Sequence, residues 1–302
     1  MRIATTLALF NPKHDGSFFS AEETLRNAHK AGFRVIDADL TAFPQRKGYC
    51  HFLDTPDWER RTQELRELGD SLGVVFNQAH LPYYPQLETS GQEFEHAEEM
   101  TRRAIIACRI LGVPWGVMHA GSISDRNWSL KEHCERNVEY FKPKIEAARK
   151  NNTGIAIENM GCWPRSKWFR MYCATEYELC ELVDTLNDPA AGICWDFGHA
   201  NMNKLDQALS LRTIGKRLKA VHVQDNRGWE DDHLPPFCGT VDWPGLMPVL
   251  AETGYAGDLT FEVLGMEKFP DAFRVEAAHQ LLETGRFLLE LYKGQIPQTT
   301  KA

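Results

Sequence analysis

Acids and histidines in this 302-residue chain sit where short apolar runs stop. The clearest case is Gly192-Ile-Cys-Trp-Asp196-Phe-Gly-His199-Ala-Asn201, an apolar run that ends in an acid with a histidine three residues later. The arrangement repeats along the chain. His80 closes Asn77-Gln-Ala-His80, His119 closes Val117-Met-His119, and Glu158 closes Ile155-Ala-Ile-Glu158-Asn159. His222 stands in Val221-His222-Val-Gln-Asp225, a loop carries Asp231-Asp232-His233, and Glu262 follows Leu259-Thr-Phe. Carboxylates and imidazoles are the side chains that hold divalent metals and move protons. Any one of these histidines is as readily structural as functional; the joint pattern carries the argument. The remaining histidines (His14, His29, His51, His96, His133 and His279) fall on helices or other loops and read as solvent-facing or capping residues.

The elements that must position these groups alternate. Strands are expected over residues 3–9, 34–40, 74–79, 115–118, 154–157, 191–195, 218–223 and 259–263. Helices are expected over 20–31, 57–72, 91–111, 129–151, 175–186, 204–214, 243–253 and 271–293. Ser20-Ala-Glu-Glu23 reads as a capping box, and Gly32, Gly73 and Gly112 as helix stops. Strict strand–helix alternation implies a parallel sheet covered by helices. Eight units in a row favour a closed (β/α)8 barrel, the TIM barrel, over an open doubly wound sheet. No glycine-rich phosphate loop follows the first strand, which counts against a dinucleotide fold. With no linker or composition break, one α/β domain over residues 1–294 is expected, with a polar tail over 295–302.

In such a barrel the active site lies at the C-terminal ends of the strands. Glu158, Asp196 and Glu262 would then converge at one mouth and repel one another, because buried acids are costly unless paired or metal-bound. One divalent cation removes that cost. Glu158, Asp196, His222 and Glu262 offer three oxygens and one nitrogen, a set that suits Mn²⁺, Mg²⁺, Co²⁺ or Zn²⁺.

Composition sets outer limits. The net charge is −8 and the pI about 5.8, which argues against a nucleic-acid binder driven by phosphate neutralisation. The eight scattered cysteines form no Cys-x-x-Cys pair and read as free thiols of a reducing compartment. No run approaches the ~18 apolar residues of a membrane helix. A soluble, cytoplasmic protein is expected.

The segments Ile155-Ala-Ile-Glu158-Asn159, Trp195-Asp196-Phe-Gly-His199, Val221-His222-Val-Gln-Asp225, His233-Leu-Pro-Pro-Phe-Cys-Gly-Thr-Val-Asp242-Trp243 and Phe261-Glu262 resemble the xylose isomerase-like barrel superfamily. The resemblance spans essentially the whole chain and is strongest to the sugar (phosphate) isomerase/epimerase group, which includes ketose 3-epimerases and inositol-catabolism enzymes. It implies an isomerase of carbohydrate metabolism that moves protons through a metal-stabilised enediolate of a small sugar or polyol. It implies one metal on Glu158, Asp196, His222 and Glu262, with Glu158 and Glu262 doubling as the acid/base pair. His199 is then a substrate ligand, as are His80, His119 and His233, and Arg227 is the nearest match to an arginine directed at substrate oxygens.

Two alternatives accompany this reading. One is a metal-dependent dehydratase or lyase on a polyol. The other is an endonuclease IV-like abasic-site nuclease, whose three zincs would match His80, His119, Glu158, Asp196, His199, His222, Asp231, His233 and Glu262. The acidic charge and the isomerase-like segment after His233 weigh against the nuclease. Trp163, Trp229 and Phe10 are candidate pocket walls. The basic-aromatic stretch 163–170 is a candidate contact for nucleic-acid phosphates, a lid over a sugar, a subunit contact in a possible homo-oligomer, or a plain solvated loop.

Overall fold

Eight parallel strands, each too short to hold a sheet alone, close on themselves in sequence order. They are β1 (Ile3–Thr6), β2 (Val35–Asp39), β3 (Val75–His80), β4 (Trp115–His119), β5 (Gly154–Glu158), β6 (Ala191–Asp196), β7 (Leu218–Val223) and β8 (Leu259–Phe261). The β1–β8 pairing, Ile3 opposite Leu259, seals the ring, so no strand edge is left open. The structure is a computed structural model that describes residues 1–41, 50–82, 87, 90–122, 129–162 and 171–296. The helices are α1 (Ala21–Ala31), α2 (Trp58–Leu72), α3 (Gly91–Leu111), α4 (Leu130–Lys150), α5 (Glu176–Leu186), α6 (Phe197–Met202), α7 (Gln207–Ile214), α8 (Trp243–Glu252) and α9 (Arg274–Tyr292). The expected (β/α)8 barrel is therefore the observed one, and its helices bury one continuous apolar layer against the outside of the strands.

Local chemistry starts and stops the helices as their sequences demand. The Ser20 side chain accepts the Glu23 N–H, and the Glu23 side chain returns to the Ser20 N–H. Gly32, Gly73 and Gly112 end α1, α2 and α3 in the left-handed region that favours glycine.

Three boundaries differ from expectation. The first strand stops at Thr6, whose hydroxyl accepts the Ala8 N–H and turns Leu7–Phe10 into a 3₁₀ turn. The helix expected over 204–214 begins at Gln207 as α7, and a further short helix, α6, precedes it. Asp196 caps α6 at the very end of β6, and Asp206 caps α7 through the Leu209 N–H. His199 thus sits in the first turn of a helix, where a loop was expected. The last helix begins with a 3₁₀ turn at Asp271–Phe273 before α9.

Inside the barrel, strands β4 to β7 stack their inward residues in layers, because side chains two apart face the same way. Register pairs Trp115 with Gly154, Val117 with Ala156, and His119 with Glu158. It pairs Asp196 with His222 across the next interface but one. The lowest layer holds Trp115, the middle one holds Val117, Ala156, Cys194 and Ala220, and the top holds the ionisable groups. The middle layer is small and apolar, so water is kept from beneath the charges. The lowest layer needs glycine. A Cβ on Gly154 would lie 2.2 Å from the Trp115 ring, and one on Gly192 2.2 Å from Lys219 Cγ.

Gly154→Ala should therefore lower the unfolding free energy by ~1–3 kcal/mol through overpacking, read as a lower denaturant midpoint. Shortening Trp115 to Leu in the same chain should restore part of the loss. An unchanged midpoint in the single variant would show that the indole moves aside freely.

Candidate metal centre

Each functional group is carried to the same mouth by its own strand. His80, His119, Glu158 and Asp196 are the last residues of β3, β4, β5 and β6. His222 is the penultimate residue of β7, and Glu262 follows β8, held there by its N–H to the Val223 carbonyl at 3.2 Å. Glu158, Asp196 and His222 are buried, whereas the Glu262 side chain keeps 19% exposure and faces the opening.

Glu158, Asp196, His222 and Glu262 bring one ligand atom each to within 4.8 Å of one another. His222 Nδ1 lies 2.9 Å from Glu158 Oε1 and 3.3 Å from Glu262 Oε2. Asp196 Oδ1 accepts the His199 N–H at 2.5 Å and the Gln224 Nε2 at 3.2 Å, while its Oδ2 is buried without a partner. An orphaned carboxylate oxygen in a closed cavity is costly unless a proton or a cation meets it. Three oxygens and one imidazole within a few ångströms are a fitting donor set for one divalent cation.

The charge balance shows the same need. Burial, reinforced by Glu158 and Glu262, raises the Asp196 pKa to about 7. Burial opposes the charged form of His222, but the Glu262 and Glu158 carboxylates facing it raise its pKa well above the usual value. Burial likewise opposes ionisation of Glu158, yet His222 and His119 hold its carboxyl well below the ordinary range. With no cation bound, protons on Asp196 and His222 supply the positive charge that the cluster requires.

A second ring of residues surrounds the four. His119 Nε2 is 3.0 Å from Glu158 Oε2 and 3.2 Å from His80 Nε2, and these three also form a metal-capable group. His199 donates from Nδ1 to the Asn159 carbonyl at 2.8 Å, which turns Nε2 toward Asp231 Oδ2 at 3.3 Å. His233 meets the same Asp231 oxygen at 3.1 Å and bonds the Glu262 carbonyl through Nδ1 at 2.7 Å. Arg227 does not join the cluster: its side chain is 61% exposed and its guanidinium reaches Asp232 at 3.4 Å. Phe10 is buried in the core and Trp229 is exposed at the surface. Trp163 and the stretch 163–170 lie outside the described residues.

Asp231 was a candidate from sequence only as a ligand of the nuclease alternative, and three further residues that position this site, Asn159, Gln224 and Asp37, were not singled out. Asn159 exchanges two hydrogen bonds with the Asp196 backbone, at 2.6 and 2.9 Å. Gln224 bridges Asp196 and Asp231. Asp231 itself joins His199 to His233. Asp37, on β2, lies inside the barrel beneath His222. Its signal was an acid in the middle of the apolar run Val35-Ile-Asp37-Ala. The loop bearing His233 is held by the buried Asp225, which accepts the Asn226, Phe237 and Val241 N–H groups and the Trp243 indole N–H.

A cavity of about 950 Å³ lies elsewhere: it opens at the N-terminal ends of the strands between Arg2, Trp115, Lys216, Lys219 and Tyr255. It contains none of the convergent ionisable groups. Among the described residues, the metal-capable groups gather at the C-terminal mouth.

Binding of Mn²⁺ or Co²⁺ must displace the protons on Asp196 and His222, so affinity should fall as pH drops through about 7 and proton release should be larger at the lower pH. Titration calorimetry in two buffers of different ionisation enthalpy measures both quantities. Equal affinity and no proton release below pH ~6 would contradict the charge balance described. The metal should also raise the thermal midpoint, by about 2.7 kcal/mol of stability at 100 times its Kd, and Asp196→Asn should abolish that rise.

Comparison with known proteins places this geometry. The chain aligns with a D-tagatose 3-epimerase-like protein at TM-score 0.74 and 20% identity, covering 98% of this chain and 99% of the other. It aligns with D-psicose 3-epimerase from Clostridium cellulolyticum H10, solved with D-tagatose, at TM-score 0.71 and 15% identity over 96% and 99%. It aligns with the IOLI protein with a binding zinc atom at TM-score 0.70 and 17% identity over 98% and 100%. At these identities the likeness is one of fold. In sequence, an uncharacterized protein of Sinorhizobium fredii is 28% identical over 167 residues, or 54% of this chain and 51% of its own length; the chain spans about half the length of the curated relatives it matches. No described helix is long and apolar enough to cross a membrane. The xylose isomerase-like TIM barrel profile matches residues 25–287, and the chain belongs to that family.

Proposed function

We propose that this protein is a divalent-metal-dependent sugar isomerase or epimerase acting on a small ketose or related polyol by proton transfer. The observation that carries the reading is the convergence of Glu158, Asp196, His222 and Glu262 at the mouth. The epimerase and zinc-bearing proteins that share the fold support it. These four residues would hold a cation whose charge, when bound, would make the hydroxyl-bearing carbon next to a ketose carbonyl more acidic.

The two glutamates divide the proton work. Glu262 is reached from the opening and takes the carbon-bound proton at its carboxylate. Glu158 is fully buried and held as the carboxylate, so it accepts a proton relayed by His119 and His80 at its Oε2 and passes that proton to the carbon from the deeper side. His80, His119, His199 and His233 offer ring nitrogens to substrate hydroxyls. Asp231 holds the last two in place. Arg227, at the rim, reaches the substrate only by leaving Asp232. The abasic-site nuclease alternative draws no support from the comparisons. The described rim also bears Asp231 and Asp232, whose charge repels a phosphate backbone.

With Mn²⁺ or Co²⁺ supplied, at least one ketose or inosose of a broad panel should exchange its C2 or C3 proton with solvent deuterium, detected by NMR. Glu158→Gln and Glu262→Gln should each slow that exchange by about 10²–10⁴-fold. A variant with wild-type exchange would remove that glutamate from the acid/base pair. Three tightly bound zincs per chain together with cleavage of an abasic duplex would replace the isomerase reading by the nuclease.

A further inference from the structure

One more carboxylate lies inside the barrel, just below the four. Asp37 is 1% exposed and projects inward from β2. Adding a buried acid beside three others raises the electrostatic cost of the fold, so its charge must be met by specific donors. Two are present. Asp37 Oδ1 accepts the backbone N–H of His80 at 3.2 Å. Asp37 Oδ2 faces His222 Nε2 at 3.7 Å. The opposite nitrogen of the same ring, Nδ1, faces Glu158 and Glu262.

A neutral imidazole carries its hydrogen on one nitrogen and a lone pair on the other, and the partner of one nitrogen decides the role of the other. We propose that Asp37 is the positioning residue for His222: it draws the ring hydrogen to Nε2 and thereby presents the Nδ1 lone pair to the metal site. At 3.7 Å the contact is an ion-pair distance, longer than a hydrogen bond. In an interior closed to water, the Asp37 charge still selects the tautomer with N–H toward it. Asp37 also couples two strands, since the oxygen not used by His222 fixes the end of β3 at His80. The carboxylate is needed for this double task. Both donors require an acceptor, and a carboxylate offers two where an amide offers one.

The proposal rests on the metal reading above and is tested apart from any sugar chemistry. Mn²⁺ and Zn²⁺ affinities are measured by competition with a chelator for wild type, Asp37→Asn and Asp37→Ala, alongside thermal midpoints. Loss of an outer partner of a metal-binding histidine costs about 10–100-fold in affinity, and both variants should show it. Asp37→Asn, though nearly isosteric, should be at least as weak a metal binder as Asp37→Ala, because its NH₂ confronts either His222 Nε2–H or the His80 N–H. A purely space-filling role predicts the reverse order, with affinity following the thermal midpoint, and would overturn the proposal. In zinc-loaded wild type, ¹⁵N NMR should place the His222 hydrogen on Nε2; finding it on Nδ1 overturns the proposal even if neither variant folds. Wild type that binds no divalent metal would instead overturn the metal reading itself.

Discussion

Repulsion among buried carboxylates is the constraint around which this structure is built. Glu158, Asp196 and Glu262 are brought within a few ångströms of one another by backbone that cannot move them apart, since each is fixed at the end of a strand paired on both sides. In a low-dielectric interior such a cluster requires positive charge. The histidines supply part of it, and Asp196 Oδ2 shows where that supply stops. A folded protein accepts this cost where the charge has a use, and the surroundings are arranged to keep it. The apolar layer of Val117, Ala156, Cys194 and Ala220 seals the cluster from below. Glycines at 154 and 192 let Trp115 and Lys219 close the lower end.

The same constraint explains the hydrogen-bond network. Asn159 ties the ends of β5 and β6 together, so that Glu158 and Asp196 hold their spacing. Asp196 serves twice, as the cap of α6 through one oxygen and, through the other, as a buried acceptor without a hydrogen-bond partner. Capping places His199 in the first helical turn, and the Asn159 carbonyl then sets which ring nitrogen faces the mouth. Asp225 fastens the long loop so that His233 arrives beside Asp231 and Glu262. Positional accuracy comes from these supporting partners, as it does around metal sites generally.

The two ends of the barrel divide the labour as the fold predicts, with chemistry at the C-terminal ends and packing at the N-terminal ends. The large N-terminal cavity gathers lysines and an aromatic ring but no convergent acid, which is why its volume does not make it the reactive site.

The alternation of apolar runs with amphipathic segments was enough to determine the barrel, because period-2 and period-3.6 patterns are local and eight repeats leave few topologies. The identity of the strand-end residues was enough to group Glu158, Asp196, His222 and Glu262, since a closed barrel must bring strand ends together. Distances, tautomers and supporting partners were not legible. Asp37 lies about 185 residues from His222 in sequence, and only the β2–β3 register turns it inward beneath that ring. Arg227 follows His222 closely in sequence, yet Asp232 holds its guanidinium outward. His199 was one of several candidate substrate ligands, and only the Asp196 cap and the Asn159 carbonyl fix how its ring is turned. Sequence states which groups are present. Tertiary structure decided which atoms face one another, because hydrogen bonds and charge pairing act on separations of a few ångströms that no spacing along the chain encodes.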